Sequence, residues 1–334
     1  MCSLDSYCIM RRFNGYLDGV HEGEVCGWVI DQQDPDTPAV VTILVNGAPF
    51  TRVLACQHRA DVGTAYQTSG LHGFKALLPD ATPGKTIHLS AICDGGQPVG
   101  DGAKTIRLDV MPKRRLQGPC VLFMHIQKTA GTAFRDAILG NYATAQTALI
   151  YPNPPGIARK KFRLMPEEQR RDLRFAIGHF KFGIHEELGQ PYEYVTILRD
   201  PVQRVISNYR HLCRNGSTSA TLESLLESGA AMELDNLMTR FFCGQEGIYP
   251  AGSVDQDWYE RALANARQFR FIGNQARPDA AWTELCRLYG WSSGTLHKVN
   301  AAAGPQPKVS ARTQDMIASY NRYDLLLYRE LTDV

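Results

Sequence analysis

The sequence predicts an α/β chain in two parts: an antiparallel β-sandwich-like module over residues 1–112 and a doubly wound α/β domain with a parallel sheet over residues 120–334, joined by a linker over residues 113–119. Three observations predict it. Between Gly15 and about Val110 short β-branched and aromatic runs alternate with turn residues. Met111 to Pro119, MPKRRLQGP, has two prolines, a glycine and three basic residues without apolar periodicity. After it, strand patterns alternate with helical ones, as a parallel sheet requires.

Composition bounds the function before any motif does. With 44% apolar and 21% charged residues the 334-residue chain has enough material for two buried cores. A net charge of +2 gives no global attraction for nucleic acid, so any anion site must be local. The nine cysteines, Cys2, Cys8, Cys26, Cys56, Cys93, Cys120, Cys213, Cys243 and Cys286, contain no CxxC pair. Neither a zinc site nor a disulfide framework is indicated. The start, MCSLDSYCIMRRF, lacks a signal-peptide core, and no run approaches the roughly 18 apolar residues of a membrane span. A cytoplasmic location is expected.

In the first part, Val25 to Ile30, Val40 to Val45, Pro49 to Leu54, Gly73 to Leu78 and Thr86 to Cys93 read as strands. Asn46-Gly47 between two of them signals a tight hairpin. No catalytic cluster is evident there. Trp28, Arg59, Asp61 and Phe74 stand out as a ring-and-charge set suited to a sugar or docking face, although Trp28 and Phe74 read more simply as core and Arg59 with Asp61 as a local turn.

The second part opens on VLFMHIQKTAGTAFRDAIL, Val121 to Leu139. Val121 to Met124 suits one buried parallel strand, and Phe134, Ala137 and Ile138 fall on one face of a following helix that ends near Gly140. Between them lies a short turn with Lys128, Thr129, Gly131 and Thr132. Free N–H groups of a first helical turn converge on one point, the helix dipole favours negative charge there, and Lys128 adds a full positive charge. A phosphate is the expected occupant. The lysine precedes the glycine here, so the loop is not the GxxxxGK[ST] of nucleoside triphosphatases.

Phe175 to Gly178 is a short buried strand with His179 directly after it. Residues just past the carboxyl ends of parallel strands line the ligand crevice in such folds, so His179 sits where a catalytic group should sit. Tyr194 to Leu198 is a clearer strand, ended by Arg199-Asp200-Pro201, where Asp200 suits an N-cap and Pro201 the first helical position. Val202, Val205, Ile206, Tyr209 and Leu212 recur at helical spacing behind it. Arg199 and Ser207 can grip one phosphate from two directions. Ile157 to Arg174 is rich in Arg and Lys and reads as a solvated helix face or a surface for an anionic acceptor. Thr221 to Ser228, Asp235 to Phe242, Trp258 to Gln268, Asp279 to Tyr289 and Gln314 to Leu331 read as helices, with a last strand at Phe269 to Gly273. Val299 to Thr313 reads as a loop carrying Lys308 and Arg312.

QKTAGT followed by RDPVQRVISNY resembles sulfotransferases that use 3'-phosphoadenosine 5'-phosphosulfate (PAPS), where H-I-P-K-T-G-G-T-type loops bind the 5'-phosphosulfate and R-D-P-V-x-R-x-x-S-x-Y the 3'-phosphate. The resemblance, to the carbohydrate and heparan sulfate 2-O-sulfotransferase-like branch, implies a P-loop-like three-layer domain. It implies that Gln127, Lys128, Thr129, Ala130, Gly131, Thr132, Ala133, Arg199 and Ser207 contact PAPS, with a Gly-His pair supplying His179 as general base and Lys128 catalytic. The loop with Lys308 and Arg312 is expected over the 3'-phosphate or base, and no acidic group is placed to hold a metal. Gln127 and Ala130 replace the family's Pro and first Gly, and Lys181 stands where many members have a second histidine. Asn236 and Arg240 match positions near the family's acceptor crevice. The stretch GWVID with the following RAD and GF resembles an accessory β-domain found ahead of bacterial sulfotransferases and glycosyltransferases. The implied acceptor is a carbohydrate hydroxyl, with a lipid-linked sugar, a small metabolite or a tyrosine side chain as alternatives. Two other readings stand beside transfer: a P-loop-type phosphotransferase, which would need Mg²⁺ and a nucleoside triphosphate, and a noncatalytic carbohydrate-binding protein with a degenerate nucleotide domain.

Overall fold

The computed structural model describes residues 13–78, 84–108, 116–151, 157–292, 296 and 309–332. The chain divides into two compact units, residues 1–116 with 143–146 and 163–173, and residues 117–142 with 147–162 and 174–334.

The first unit contains β1 (Phe13–His21), β2 (Glu24–Asp31), β3 (Val40–Val45), β4 (Ala48–Leu54), β5 (Gln57–His58), α1 (Ala60–Tyr66), β6 (Leu71–Leu77), β7 (Thr86–Cys93) and β8 (Lys104–Arg107). They form two antiparallel four-stranded sheets, ordered β1-β2-β6-β5 and β4-β3-β7-β8. Alternate residues from both, among them Leu17, Val25, Phe74, Ile43, Val53 and Leu89, bury into one apolar core. Asn46 and Gly47 both take positive φ, 52° and 82°, as a two-residue hairpin turn of matching twist demands. Phe74 is core. Trp28 is half-buried against Tyr66, and Arg59 pairs with Asp18 and Asp61 at the start of α1, a helix that the turn reading of this stretch overlooks. Segments far along the chain join this unit by hydrogen bonding: the buried Glu24 carboxylate accepts from Ala145 N at 2.6 Å, and Gln169 Oε1 accepts from Leu54 N at 2.9 Å.

The second unit is built on β9 (Cys120–Met124), α2 (Gly131–Leu139), β10 (Thr147–Ile150), α3 (Ile157–Leu164), then, past α4 (Glu167–Asp172), β11 (Phe175–Gly178), β12 (Tyr192–Leu198) and α5 (Pro201–Arg214). There follow α6 (Leu222–Ser228), α7 (Leu237–Cys243), α8 (Gln256–Ala266), β13 (Phe269–Asn274), α9 (Pro278–Tyr289), α10 (Ala311–Tyr320) and α11 (Arg322–Thr332). The sheet is parallel throughout, in the order β10-β11-β9-β12-β13. Its central strand β9 is entirely buried, which is why its sequence runs apolar without alternation. Phe134 and Ile138 of α2 and Trp282 and Leu285 of α9 cover one face. On the other, Phe242 of α7 packs on Phe269, which stacks on Tyr194. Helices on both faces make the three-layer α/β arrangement expected.

Chain order and strand order determine where a ligand can bind. From β9 the chain runs outward to β10, returns to β11, and crosses to β12 on the other side. The carboxyl ends of β9, β11 and β12 therefore open at a topological switch point, the crevice of open α/β sheets. The edge strand β10 is not evident in the sequence, because four residues are too few to show a period. The basic run from Ile157 divides at Pro166 into two short helices, and its charges are partly neutralised, Arg159 by Glu186 and Glu187 and Arg171 by Glu167.

Candidate functional site

The three central strands each deliver one polar side chain to the crevice: His125 after β9, His179 after β11 and Arg199 after β12. Their backbones are pinned to one another. His125 N donates to Gly178 O at 2.9 Å, and His179 N to Ile150 O at 3.0 Å. Gly178 has no room for a side chain, since a Cβ there would lie 1.8 Å from the Ile150 carbonyl oxygen. The Gly-His pair is thus a packing requirement as well as a chemical one. The glycine lets β11 close on β10, and the histidine follows.

The anion loop forms between β9 and α2. Lys128 and Ala130 adopt left-handed backbone, φ 69° and 70°, and α2 starts at Gly131. Those conformations cost non-glycine residues energy and persist only where surrounding contacts impose them, a common condition at ligand sites. Thr129 is fully buried and its hydroxyl donates to Ile126 O at 2.8 Å, so its side chain closes the turn and its backbone N–H is what it offers a ligand. Gly131 lies against the His125 ring, where a Cβ would approach Cδ2 to 2.1 Å. Gln127, Lys128, Thr132 and Ala133 are half-buried around the loop and Ala130 is exposed.

Arg199 reaches the same loop. Its Nη1 donates to Lys128 O at 3.2 Å, while Nε is buried with no hydrogen-bond partner among the described residues. A buried, unsatisfied guanidinium N–H is costly unless an acceptor arrives, and a phosphate oxygen is such an acceptor. Burial pushes the Lys128 ammonium below its ordinary range, helped by Arg214 and then Arg199. Arg199 is lowered by burial too, against the pull of Asp200. The cations crowd one spot, which favours an anion there. Asp200 caps α5 by accepting from Gln203 N at 2.9 Å, and Pro201 occupies the first turn. Ser207 lies half-buried two turns in.

His179 is held in one orientation. Its Nδ1 lies 2.7 Å from His125 O, and a carbonyl only accepts, so Nδ1 carries the proton and Nε2 is left with its lone pair. Burial lowers its pKa, with the bond to His125 opposing. The ring is therefore neutral at neutral pH. His125 and Tyr151 flank it, ring centres 4.7 and 5.0 Å away.

Other candidates lie elsewhere. Lys181 donates to the carbonyls of Gln245 and Gly247, and His185 meets the Tyr194 hydroxyl at 3.0 Å. Asn236 and Arg240 are buried and hold α7 in place: Asn236 Nδ2 donates to Tyr320 O at 2.7 Å, and Arg240 pairs with Asp235 and donates to Pro250 O. Arg312 is exposed in the first turn of α10, two residues past the N-cap Ser310, so the helix begins inside the stretch read as a loop. Its charge bears on Glu223 of α6. Lys308 lies outside the described residues. No group of three or more His, Cys, Asp or Glu that could hold a metal occurs among the described residues, and none of the described helices is long and apolar enough to cross a membrane.

His125, Tyr151 and Arg214 are absent from the sequence-based site. For His125 the signal was present, a histidine one residue past the buried run of β9, where a crevice residue belongs. Nothing marked Tyr151, which follows a strand too short to see.

Heparan-sulfate 6-O-sulfotransferase 2 of Danio rerio is 25% identical over 276 residues, 64% of this chain and 57% of that protein. Its Homo sapiens counterpart is 28% identical over 126 residues, 30% of this chain and 20% of that protein. The chain thus spans little more than half the length of the first relative and less of the second. Both are named as 6-O- rather than 2-O-sulfotransferases. A sulfotransferase from Alicyclobacillus acidocaldarius superposes with a TM-score of 0.39 at 12% identity, over 65% of this chain and 97% of that one. The family model described as Sulfotransferase family matches residues 119–290, just over half of the sequence, and the chain belongs to that family.

Proposed function

We propose that this chain is a PAPS-dependent sulfotransferase acting on a carbohydrate hydroxyl, with His179 as general base. The observation that carries the reading is the 2.7 Å bond from His179 Nδ1–H to His125 O, which leaves a neutral Nε2 lone pair at the switch point beside the anion loop. Family membership supports PAPS as donor, and the names of the relatives favour a glycan acceptor.

PAPS, when bound, supplies a sulfuryl group on a mixed anhydride whose leaving group is adenosine 3',5'-bisphosphate. In this reading the N–H groups from Gln127 to Ala133, the Lys128 ammonium and the Thr132 hydroxyl hold the 5' end. Arg199 and Ser207 hold the 3'-phosphate, Arg199 offering its unpartnered Nε–H. Arg312 adds a positive charge in the first turn of α10. His179 Nε2 takes the acceptor proton as the acceptor oxygen bonds to sulfur. The sulfur–oxygen bond to the phosphate breaks, its electron pair stays on the phosphate oxygen, and Lys128 stabilises that charge. In-line transfer asks the protein for positioning and charge stabilisation rather than covalent chemistry.

Calorimetric titration with adenosine 3',5'-bisphosphate and with ATP plus Mg²⁺ tests the donor. Labelled PAPS offered with de-O-sulfated heparan sulfate and other glycans tests the acceptor. Saturable bisphosphate binding without metal and label in a glycan are expected; binding of ATP–Mg²⁺ alone would overturn the reading.

A further inference from the structure

One residue touches both halves of this site. The His125 ring fills the space beside Gly131 where a side chain would otherwise stand, its Cδ2 and Nε2 lying 2.1 and 2.3 Å from the position of a Cβ. The same residue's carbonyl holds His179 Nδ1, and its ring sits 4.7 Å from the His179 ring. His125 is 6% exposed, so it forms the floor between loop and base.

Its own orientation is set from the other side. His125 Nδ1 lies 3.0 Å from the Tyr151 hydroxyl, and the rings meet edge to face at 5.7 Å. Arg135 of α2 lies over the Tyr151 ring, 5.8 Å from guanidinium carbon to ring centre. Burial pushes the Tyr151 phenol up to about 12, so it keeps its proton and can donate to His125 Nδ1. With the phenol as donor the His125 proton lies on Nε2, the nitrogen that lies against the anion loop.

We propose that His125 is a second imidazole of the site, a positioning residue that joins the anion loop to the base and takes the Nε2–H tautomer by accepting the Tyr151 hydrogen bond at Nδ1. The inference rests on the reading of His179 as base. Its physical consequence is twofold. A neutral His125 adds no positive charge beside His179, which would otherwise weaken it as a base. A fixed His125 ring holds Gly131 and the His179 bond in one register, so that donor and base stay aligned. Burial supports the same view, holding the His125 pKa down at about 3.

Two-bond ¹H–¹⁵N correlation of the imidazole rings in the intact protein, between pH 8 and pH 5, tests the tautomers directly. His125 is expected to be Nε2–H throughout, and an Nδ1–H or doubly protonated ring in that range would overturn the proposal. Tyr151→Phe then tests the link in the labelled-PAPS assay. Loss of one hydrogen bond is expected to lower kcat by about tenfold while adenosine 3',5'-bisphosphate affinity stays within about threefold. Unchanged kcat, or an equal loss of bisphosphate affinity, would show that Tyr151 does not act through the base. If instead His179→Ala kept full turnover, the base assignment itself would fail, whatever tautomer His125 shows.

Discussion

Arg199 Nη1 donates to the Lys128 carbonyl oxygen at 3.2 Å, so the turn after β9 and the end of β12 are joined by a single hydrogen bond. The two motifs lie 71 residues apart in sequence and form one cationic cluster in space. The two segments that the proposed function assigns to the ends of one nucleotide thus lie on adjacent strands.

Arg199→Ala removes that bond and the buried Nε donor. Adenosine 3',5'-bisphosphate affinity should fall roughly 10- to 100-fold, the worth of one or two charge-assisted hydrogen bonds. Arg199→Lys should recover little, because an ammonium cannot both hold the Lys128 carbonyl and donate in a fork. Calorimetry on the three proteins decides; an unchanged Kd in Arg199→Ala would remove Arg199 from the nucleotide site.

His179→Ala should keep bisphosphate affinity and lose roughly 10²- to 10⁴-fold in kcat. In the wild type, burial lowers the His179 pKa, so the base stays deprotonated below the ordinary imidazole range. The acid limb of kcat/KM should then fall at a pH below about 6.5. A limb at or above that value would contradict the buried, neutral ring.

Stability should fall on mild acidification, and the sign follows from His125. Its folded pKa of about 3 lies far below the unfolded value, so between about 6.5 and about 3 the unfolded chain binds the extra proton. Lowering pH through that window favours unfolding by up to about 1.4 kcal/mol per pH unit for this group, and above it the contribution vanishes. Urea titrations at pH 7 and pH 5 should show the loss, and His125→Phe should show less of it.

Gly131→Ala should be costly although Gly131 has helical backbone, because the added methyl meets the His125 ring. Overpacking of this kind costs about 1–3 kcal/mol. The double variant with His125→Ala should recover part of the lost melting temperature, a coupling that a double-mutant cycle measures. Additive losses would mean the two residues do not contact in solution.

Asp324→Ala should destabilise without touching the crevice. The buried carboxylate accepts from Met238 N at 3.0 Å, Thr239 N at 2.7 Å and the Thr239 hydroxyl at 2.8 Å, closing the start of α7. Loss of these bonds should cost about 3 kcal/mol or more by chemical denaturation, with bisphosphate affinity unchanged in the folded fraction.

The parts legible in advance were those governed by local rules. β9 and β12 show as apolar runs because buried parallel strands need no polar face, and the Asn46-Gly47 hairpin, the Asp200-Pro201 start of α5 and the Gly290 stop of α9 are set by backbone dihedrals and capping within a few residues. The loop with Lys128 and the RDP string are each contiguous, so the turn after β9 and the start of α5 could be read as text. The partners of Asn236 and Arg240 were not legible: a polar residue in a familiar position does not reveal that it bonds the distant carbonyls of Tyr320 and Pro250.

By itself, then, the sequence determined the two-part β and α/β plan, the anion loop and the identity of the histidine after β11. Only the tertiary structure decided that Lys128 and Arg199 converge, that His179 holds its proton on Nδ1, and that His125 and Tyr151 belong to the site. The physical reason is that strand order β10-β11-β9-β12-β13 is fixed by long-range pairing and burial, which no window of neighbouring residues contains.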